Sequence, residues 1–184
     1  MGRRVEEEDF TFADALLVGC MMNTLLNHAD TVKIACLAQL VNALAAIMTE
    51  PGGKAWAQTI YYPFALASRH GRGTALRPRV DCPSYACAVS DTVPYLDVSA
   101  VLADDGSTVT VFAVNRNLQE ALECDISLPE NARLVRHVVL GGHLLDAVNS
   151  AQSAPVQPRE QTVPVSGPVI LPSASWNMLQ FTLA

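Results

Sequence analysis

The sequence predicts the last strand and flanking helices of an α/β (TIM) barrel, followed by an all-β sandwich. Three observations carry that expectation. Helical spacing of apolar residues dominates before residue 74, and two-residue alternation dominates after it. One short β-branched segment lies between two helical stretches with no second parallel strand to join. A complete α/β barrel takes roughly 250 residues, far more than residues 1–73 supply. The expected division is therefore 1–73 as the C-terminal end of a barrel and 74–184 as an antiparallel β-sandwich domain.

Phe12 to Asn27 reads as a helix. Leu17, Cys20, Met21, Thr24 and Leu25 recur at three-and-four spacing, and Leu16, Met22 and Leu26 widen the face. Thr11 with Asp14 three residues on resembles a capping box. The acidic run Glu6 to Asp9 suits the positive end of the helix dipole. With apolar residues around much of its girth, the helix is expected to be covered on more than one side.

"TVKIACLA" (31–38) starts β-branched and predicts a buried strand. Residues 40–48 read as a helical turn or a loop, and "EPGGK" (50–54) as a break. Gln58 to His70 is helical again, with Pro63 in the first turn or making a kink. "HGRG" (70–73) places glycines where a left-handed cap would sit.

Beyond residue 93 the period changes. Leu96, Val98, Ala100 and Leu102 alternate, "DDGS" (104–107) turns, and "VTVFAVN" returns, which predicts a hairpin. Leu122, Cys124, Ile126 and Leu128 face one way and their neighbours the other. "RLVRHVVL" (133–140) and "SWNMLQFTLA" (175–184) read as two further strands, separated by a Pro/Gln/Ser-rich loop near 150–160. Short strands at such spacing predict a sandwich with Trp176 in its core.

Composition excludes several classes. A net charge of −6 with 12 basic residues leaves no footprint for nucleic acid, and no Lys/Arg cluster suits an anionic membrane surface. The apolar run from Ile34 to Met48 is interrupted by Gln39 and Asn42 and is shorter than the ~20 residues a spanning helix needs. "MGRRVEEEDF" has no apolar stretch after its basic residues, so it is not read as a secretory signal. These features predict a soluble cytoplasmic protein. Five scattered cysteines read as reduced thiols, with Cys82 and Cys87 framing a loop that could pair or bind metal. His28, His70, His137 and His143 share no ligand spacing.

The segment "TFADALLVGCMMNTLLNHADTVKIACLAQLVNALAAIMTEPGGKAWAQTIYYPFALASRHGRG" resembles the last barrel segment of family 51 glycoside hydrolases, the intracellular-type α-L-arabinofuranosidases. The resemblance continues through "VPYLDVSAVL", "TVFAVNRN" and "SWNMLQF" and covers nearly the whole chain. It implies a (β/α)8 barrel with a C-terminal sandwich, in a homo-oligomer that removes terminal α-L-arabinofuranosyl units with retention of configuration. Retention uses two carboxyl groups about 5–5.5 Å apart. The resemblance puts both glutamates before Met1, so no catalytic residue is expected in this chain. It calls for no cofactor and no metal.

Residues 31–38 resemble the eighth barrel strand, and barrel sites form at the carboxyl ends of strands. Gln39 falls there, where the family uses a glutamine to hydrogen-bond the arabinofuranose, so Gln39 is the expected substrate-binding residue. The other role open to it is capping a loop through its backbone. Asn42 is expected to serve the following turn. Trp56, Tyr61 and Tyr62 are expected to pack rather than to line a sugar site, and Glu6, Glu7, Glu8, Asp9 and Glu50 lack a positioned partner. The expected partners are an arabinofuranosyl-containing saccharide and the remaining barrel portion. The competing function is a stand-alone β-sandwich module for carbohydrate binding or assembly, although its strands show no row of exposed aromatics.

Overall fold

The structure, a computed structural model, describes residues 8–164 and 167–183. Of the acidic run ahead of the first helix, Glu6 and Glu7 lie outside the described residues, while Glu8 and Asp9 are exposed.

Helix α1 spans Phe12–Asn27. Its start is fixed by reciprocal bonds. The Thr11 hydroxyl oxygen accepts from the Asp14 N–H at 3.3 Å, and Asp14 Oδ2 accepts from the Thr11 N–H at 2.7 Å. The next two N–H groups, of Phe12 and Ala13, donate to the carbonyls of Ala147 and Leu145 at 2.8 and 2.9 Å. A loop more than 130 residues on thus serves two N–H groups of the helix start. The buried stripe is Phe12, Ala15, Leu16, Gly19 and Asn23, not the expected face. Leu17 and Met21 are 60% and 56% exposed. The helix is apolar on two sides, and the described residues supply a partner for only one of them.

The expected buried strand at 31–38 does not form. Thr31 and Val32 turn back onto the His28 carbonyl, and the segment runs on as exposed coil, with Ile34 85% exposed. A strand needs neighbours for its N–H and C=O groups, and among the described residues none lies alongside. No barrel is therefore evident in this chain, which is a mostly-β, sandwich-like fold.

Two short strands, β1 (Ile47–Thr49) and β2 (Ala55–Ala57), pair across the 50–54 break with Met48 opposite Trp56. Helix α2 covers Tyr61–His70, three residues later than expected at its start, with Pro63 buried in its first turn. It ends at Gly71 with φ −93° rather than in a left-handed cap. The left-handed glycine is Gly73, at φ +131°, where an added Cβ would lie 2.0 Å from the Leu102 carbonyl oxygen.

The remaining strands are β3 (Thr74–Leu76), β4 (Ser84–Cys87), β5 (Ser90–Pro94), β6 (Leu96–Leu102), β7 (Thr108–Asn115), β8 (Leu122–Cys124), β9 (Ala132–Leu140), β10 (Arg159–Gln161), β11 (Val169–Leu171) and β12 (Ser175–Leu183). Six of them form one antiparallel sheet in the order β10-β9-β12-β7-β6-β3. The β6–β7 hairpin and the strands β9 and β12 fall where the alternation places them. β8 pairs with β11, and β4 with β5, as separate two-stranded units. The stretch between Cys82 and Cys87 is thus largely strand, not loop.

Both faces of the large sheet are covered, which is why nearly every residue of β7 and most of β12 are buried. On one face Phe12, Leu16 and Ala67 of the helices pack with Phe112, Val114, Val138, Leu140, Trp176 and Met178. On the other, Val109, Val111, Ala113, Leu179 and Phe181 pack against Val169 and Leu171, with Cys124, Ile126 and Leu128 alongside. Trp176 is fully buried, 6.1 Å from Phe112 between ring centroids. Gly19 lets α1 approach, because a Cβ there would meet Trp176 Cδ1 at 2.4 Å.

Candidate functional site

The turn from Gln39 to Thr49 carries the polar residues that interrupt the apolar run. Its backbone is unusual: Gln39, Asn42 and Ala43 have φ of +63°, +62° and +53°. Left-handed conformations cost non-glycine residues free energy and persist only where the surroundings impose them. Asn is the side chain that tolerates this region best. Alanine does not share that tolerance, so Ala43 is held there by its neighbours.

What imposes it is visible. Asn42 Oδ1 accepts from the Thr49 N–H at 2.7 Å, and Asn42 Nδ2 donates to the Thr49 hydroxyl at 3.0 Å. The Asn42 N–H donates to the Ile47 carbonyl at 2.9 Å. Asn42 therefore serves the following turn, as the sequence suggests. Gln39 is exposed, and its Oε1 accepts from the Leu44 N–H at 2.9 Å. In this conformation its amide oxygen caps the turn while its NH2 group keeps both donors.

The base beneath the turn is riveted by a residue that the periodic pattern counts merely as the start of a helix. Gln58 is 1% exposed. Its Oε1 accepts from the Phe10 N–H at 3.0 Å, and its Nε2 donates to the carbonyls of Ala45 at 2.9 Å and Glu8 at 3.2 Å. Thr59, fully buried, donates its hydroxyl to the carbonyls of Phe10 and Thr11 at 3.0 and 2.6 Å. The only sequence signal is a polar pair ahead of an apolar helix. Apart from Ala45, 13 residues back, their partners lie 48–50 residues away in sequence, beyond any local pattern.

The other candidates are dispersed. Trp56 lies half-buried on β2, one step from the Thr49–Ala55 pair. Tyr61 and Tyr62 meet edge to face at 5.6 Å, and burial pushes the Tyr62 hydroxyl pKa up, aided by Tyr61. Glu50 is exposed in the turn between β1 and β2. Among the described residues no group of three or more His, Cys, Asp or Glu could hold a metal ion, and all five cysteines are free. Cys20 lies against Asp97; burial, with the Asp97 charge and hydrogen bond, pushes its thiol pKa up to about 12. His137 is buried, with Nε2 3.0 Å from Asn177 Oδ1. The Asn177 NH2 donates elsewhere, so His137 is the donor to Asn177. Burial lowers the His137 pKa against that hydrogen bond. No helix among the described residues is long and apolar enough to cross a membrane.

The family described as α-L-arabinofuranosidase C-terminal domain matches residues 2–175. The chain is 48% identical over 160 residues to an intracellular exo-α-(1→5)-L-arabinofuranosidase of Halalkalibacterium halodurans, covering 86% of this chain and 31% of that protein. It is 45% identical over 158 residues to the enzyme of that name, form 1, of Bacillus subtilis, covering 85% and 31%. Among solved structures, a family 51 α-L-arabinofuranosidase from Bifidobacterium longum superposes with a TM-score of 0.90 at 33% identity, over 97% of this chain and 35% of that one. A family 51 enzyme from Xanthomonas axonopodis gives 0.84 at 26% identity, over 95% and 36%. The chain thus spans about a third of the length of these relatives.

Proposed function

We propose, from the premise that this chain belongs to the α-L-arabinofuranosidase C-terminal domain family and corresponds to the C-terminal part of a family 51 glycoside hydrolase, that it acts as the C-terminal portion of a retaining α-L-arabinofuranosidase. The reaction is hydrolysis of terminal non-reducing α-L-arabinofuranosyl residues in arabinose-containing saccharides. The catalytic glutamates belong to barrel sequence outside this chain. Gln39 contributes substrate hydrogen bonds, because a side-chain amide donates to a sugar oxygen without changing charge. Residues 1–73 form the end of the catalytic barrel and 74–184 the sandwich attached to it. The names of the relatives support an intracellular, cytoplasmic enzyme, and the family resemblance a homo-oligomer.

The observation that carries this reading is the apolar surface left without a partner. Leu17 and Met21 of α1 are exposed, and so are Ile34, Leu40, Val41 and Leu44 of the segment that follows, with Ile34 and Leu40 above 80%. Exposed apolar patches of this kind mark interaction surfaces, and the partner assigned to this one is the part of the relatives' length that this chain does not span. A stand-alone binding module is not favoured, since it gives this surface no purpose.

The test is hydrolysis of a chromogenic α-L-arabinofuranoside by the chain alone and mixed with a barrel fragment from a relative that supplies the remaining strands. Activity in the mixture and none in either part is expected. Activity of the chain alone would overturn the placement of the catalytic carboxylates. A stable, inactive monomer in both would return the module reading.

A further inference from the structure

We infer that Asn42 is the positioning residue for Gln39, acting through Thr49 and the Leu44 N–H to present the Gln39 NH2 group as a donor to a sugar oxygen. The inference rests on the reading above and deepens it.

The geometry has three parts. First, Asn42 clamps the turn to β1 through the backbone N–H and the hydroxyl of Thr49, at 2.7 and 3.0 Å. β1 is in turn paired to β2. Second, the clamp fixes the left-handed turn at Asn42 and Ala43, which brings the Leu44 N–H within 2.9 Å of Gln39 Oε1. A flipped amide would forfeit this bond and set its NH2 group against the Leu44 N–H, donor against donor. Its two remaining donors then read acceptor lone pairs on a hydroxyl or ring oxygen. Third, the foot of the turn cannot follow a moving ligand. The Ala45 and Ala46 carbonyls are held by the Gln58 side chain and backbone, both at 2.9 Å, and the Ala43 carbonyl by the Glu8 N–H at 3.2 Å. Holding a binding group in its productive orientation before the ligand arrives lowers the cost of binding.

Two measurements test this. The first is amide hydrogen exchange on the chain by itself. Asn42→Ala is expected to speed exchange at Leu44 and Thr49 while α1 amides stay protected. Thr49→Val, which keeps the backbone bond but removes the hydroxyl, should do so less. Unchanged exchange at Leu44 in Asn42→Ala overturns the inference without reference to activity.

The second is kinetics of the mixture active on a chromogenic arabinofuranoside. Asn42→Ala should raise KM about tenfold, the value of one hydrogen bond, with a smaller change in kcat. Asn42→Asp retains the acceptor and the tolerance of positive φ, so it should restore KM. The double variant Asn42→Ala/Gln39→Ala should be no worse than Gln39→Ala alone. Additive losses would mean that Asn42 stabilises the fold independently of Gln39, and would sink the inference. An inactive wild-type mixture would count against the function proposed above, and the exchange experiment would still decide the clamp.

Discussion

Gly19 and Thr11 show how single residues set the helix on its sheet. Trp176 leaves no room for a methyl at position 19, and its ring is fully buried, so it has nowhere to rotate. Gly19→Ala gains about 1 kcal/mol of helical propensity but overpacks the core at a cost of about 1–3 kcal/mol. A net loss of stability is expected in urea unfolding; a stabilised variant would show that Trp176 can shift. Thr11→Ala removes one side of the capping box and should cost about 0.5–2 kcal/mol. Thiol reactivity gives a third check at this scale. Burial and Asp97 keep Cys20 protonated up to about pH 12, whereas Cys36 and Cys87 are exposed. A maleimide at neutral pH should label Cys36 and Cys87 in the folded chain, and Cys20 only after unfolding.

Among the elements, α1 and residues 31–44 behave differently for one reason. A helix satisfies its own backbone, so α1 forms at its predicted bounds although one of its apolar sides stays exposed among the described residues. A strand finds partners for its N–H and C=O groups only on neighbouring strands, so 31–38 stays coil where none is present among the described residues. Met21→Glu therefore introduces a charge at an exposed site and should change stability by no more than about 0.5 kcal/mol. The same change should reduce self-association and abolish complementation by the barrel fragment. If complementation survives, that side of α1 is not the contact surface. The Asn23 and Asn27 side chains of α1 donate to the Asp97 and Val98 carbonyls of β6 at 3.1 and 2.9 Å. Both bonds tie α1 to the stretch of β6 outside the three residues that pair with β3.

For the whole molecule, stability is expected to depend on pH through one buried and two half-buried histidines. Burial lowers the pKa of His137, of His70 and of His143 below the ordinary 6.5; Arg136 and Arg69 add to the effect at His70, and Arg159 at His143. The unfolded chain takes up these protons near pH 6.5, and the folded chain only at lower pH. Stability is therefore fully present above about 6.5 and falls as pH drops through the folded values. Urea midpoints measured from pH 8 to 5 should decline on the acid side, and His137→Gln should flatten that decline. An unchanged profile in His137→Gln would show that the other two histidines carry it.

Local chemistry alone determined much of this protein. The capping box of Thr11 and Asp14, the span of α1, the β6–β7 hairpin, β9 and β12, and the burial of Trp176 follow from spacing and turn residues within a few positions. The resemblance that those residues carry determined the family. Tertiary structure decided which side of α1 is buried, that 31–38 is not a strand, and that Gln58 and Thr59 anchor residues 8–11 and 45. Apolar spacing says that a surface must be covered but not by what, and a buried amide pairs with whatever backbone the fold brings within 3 Å of it.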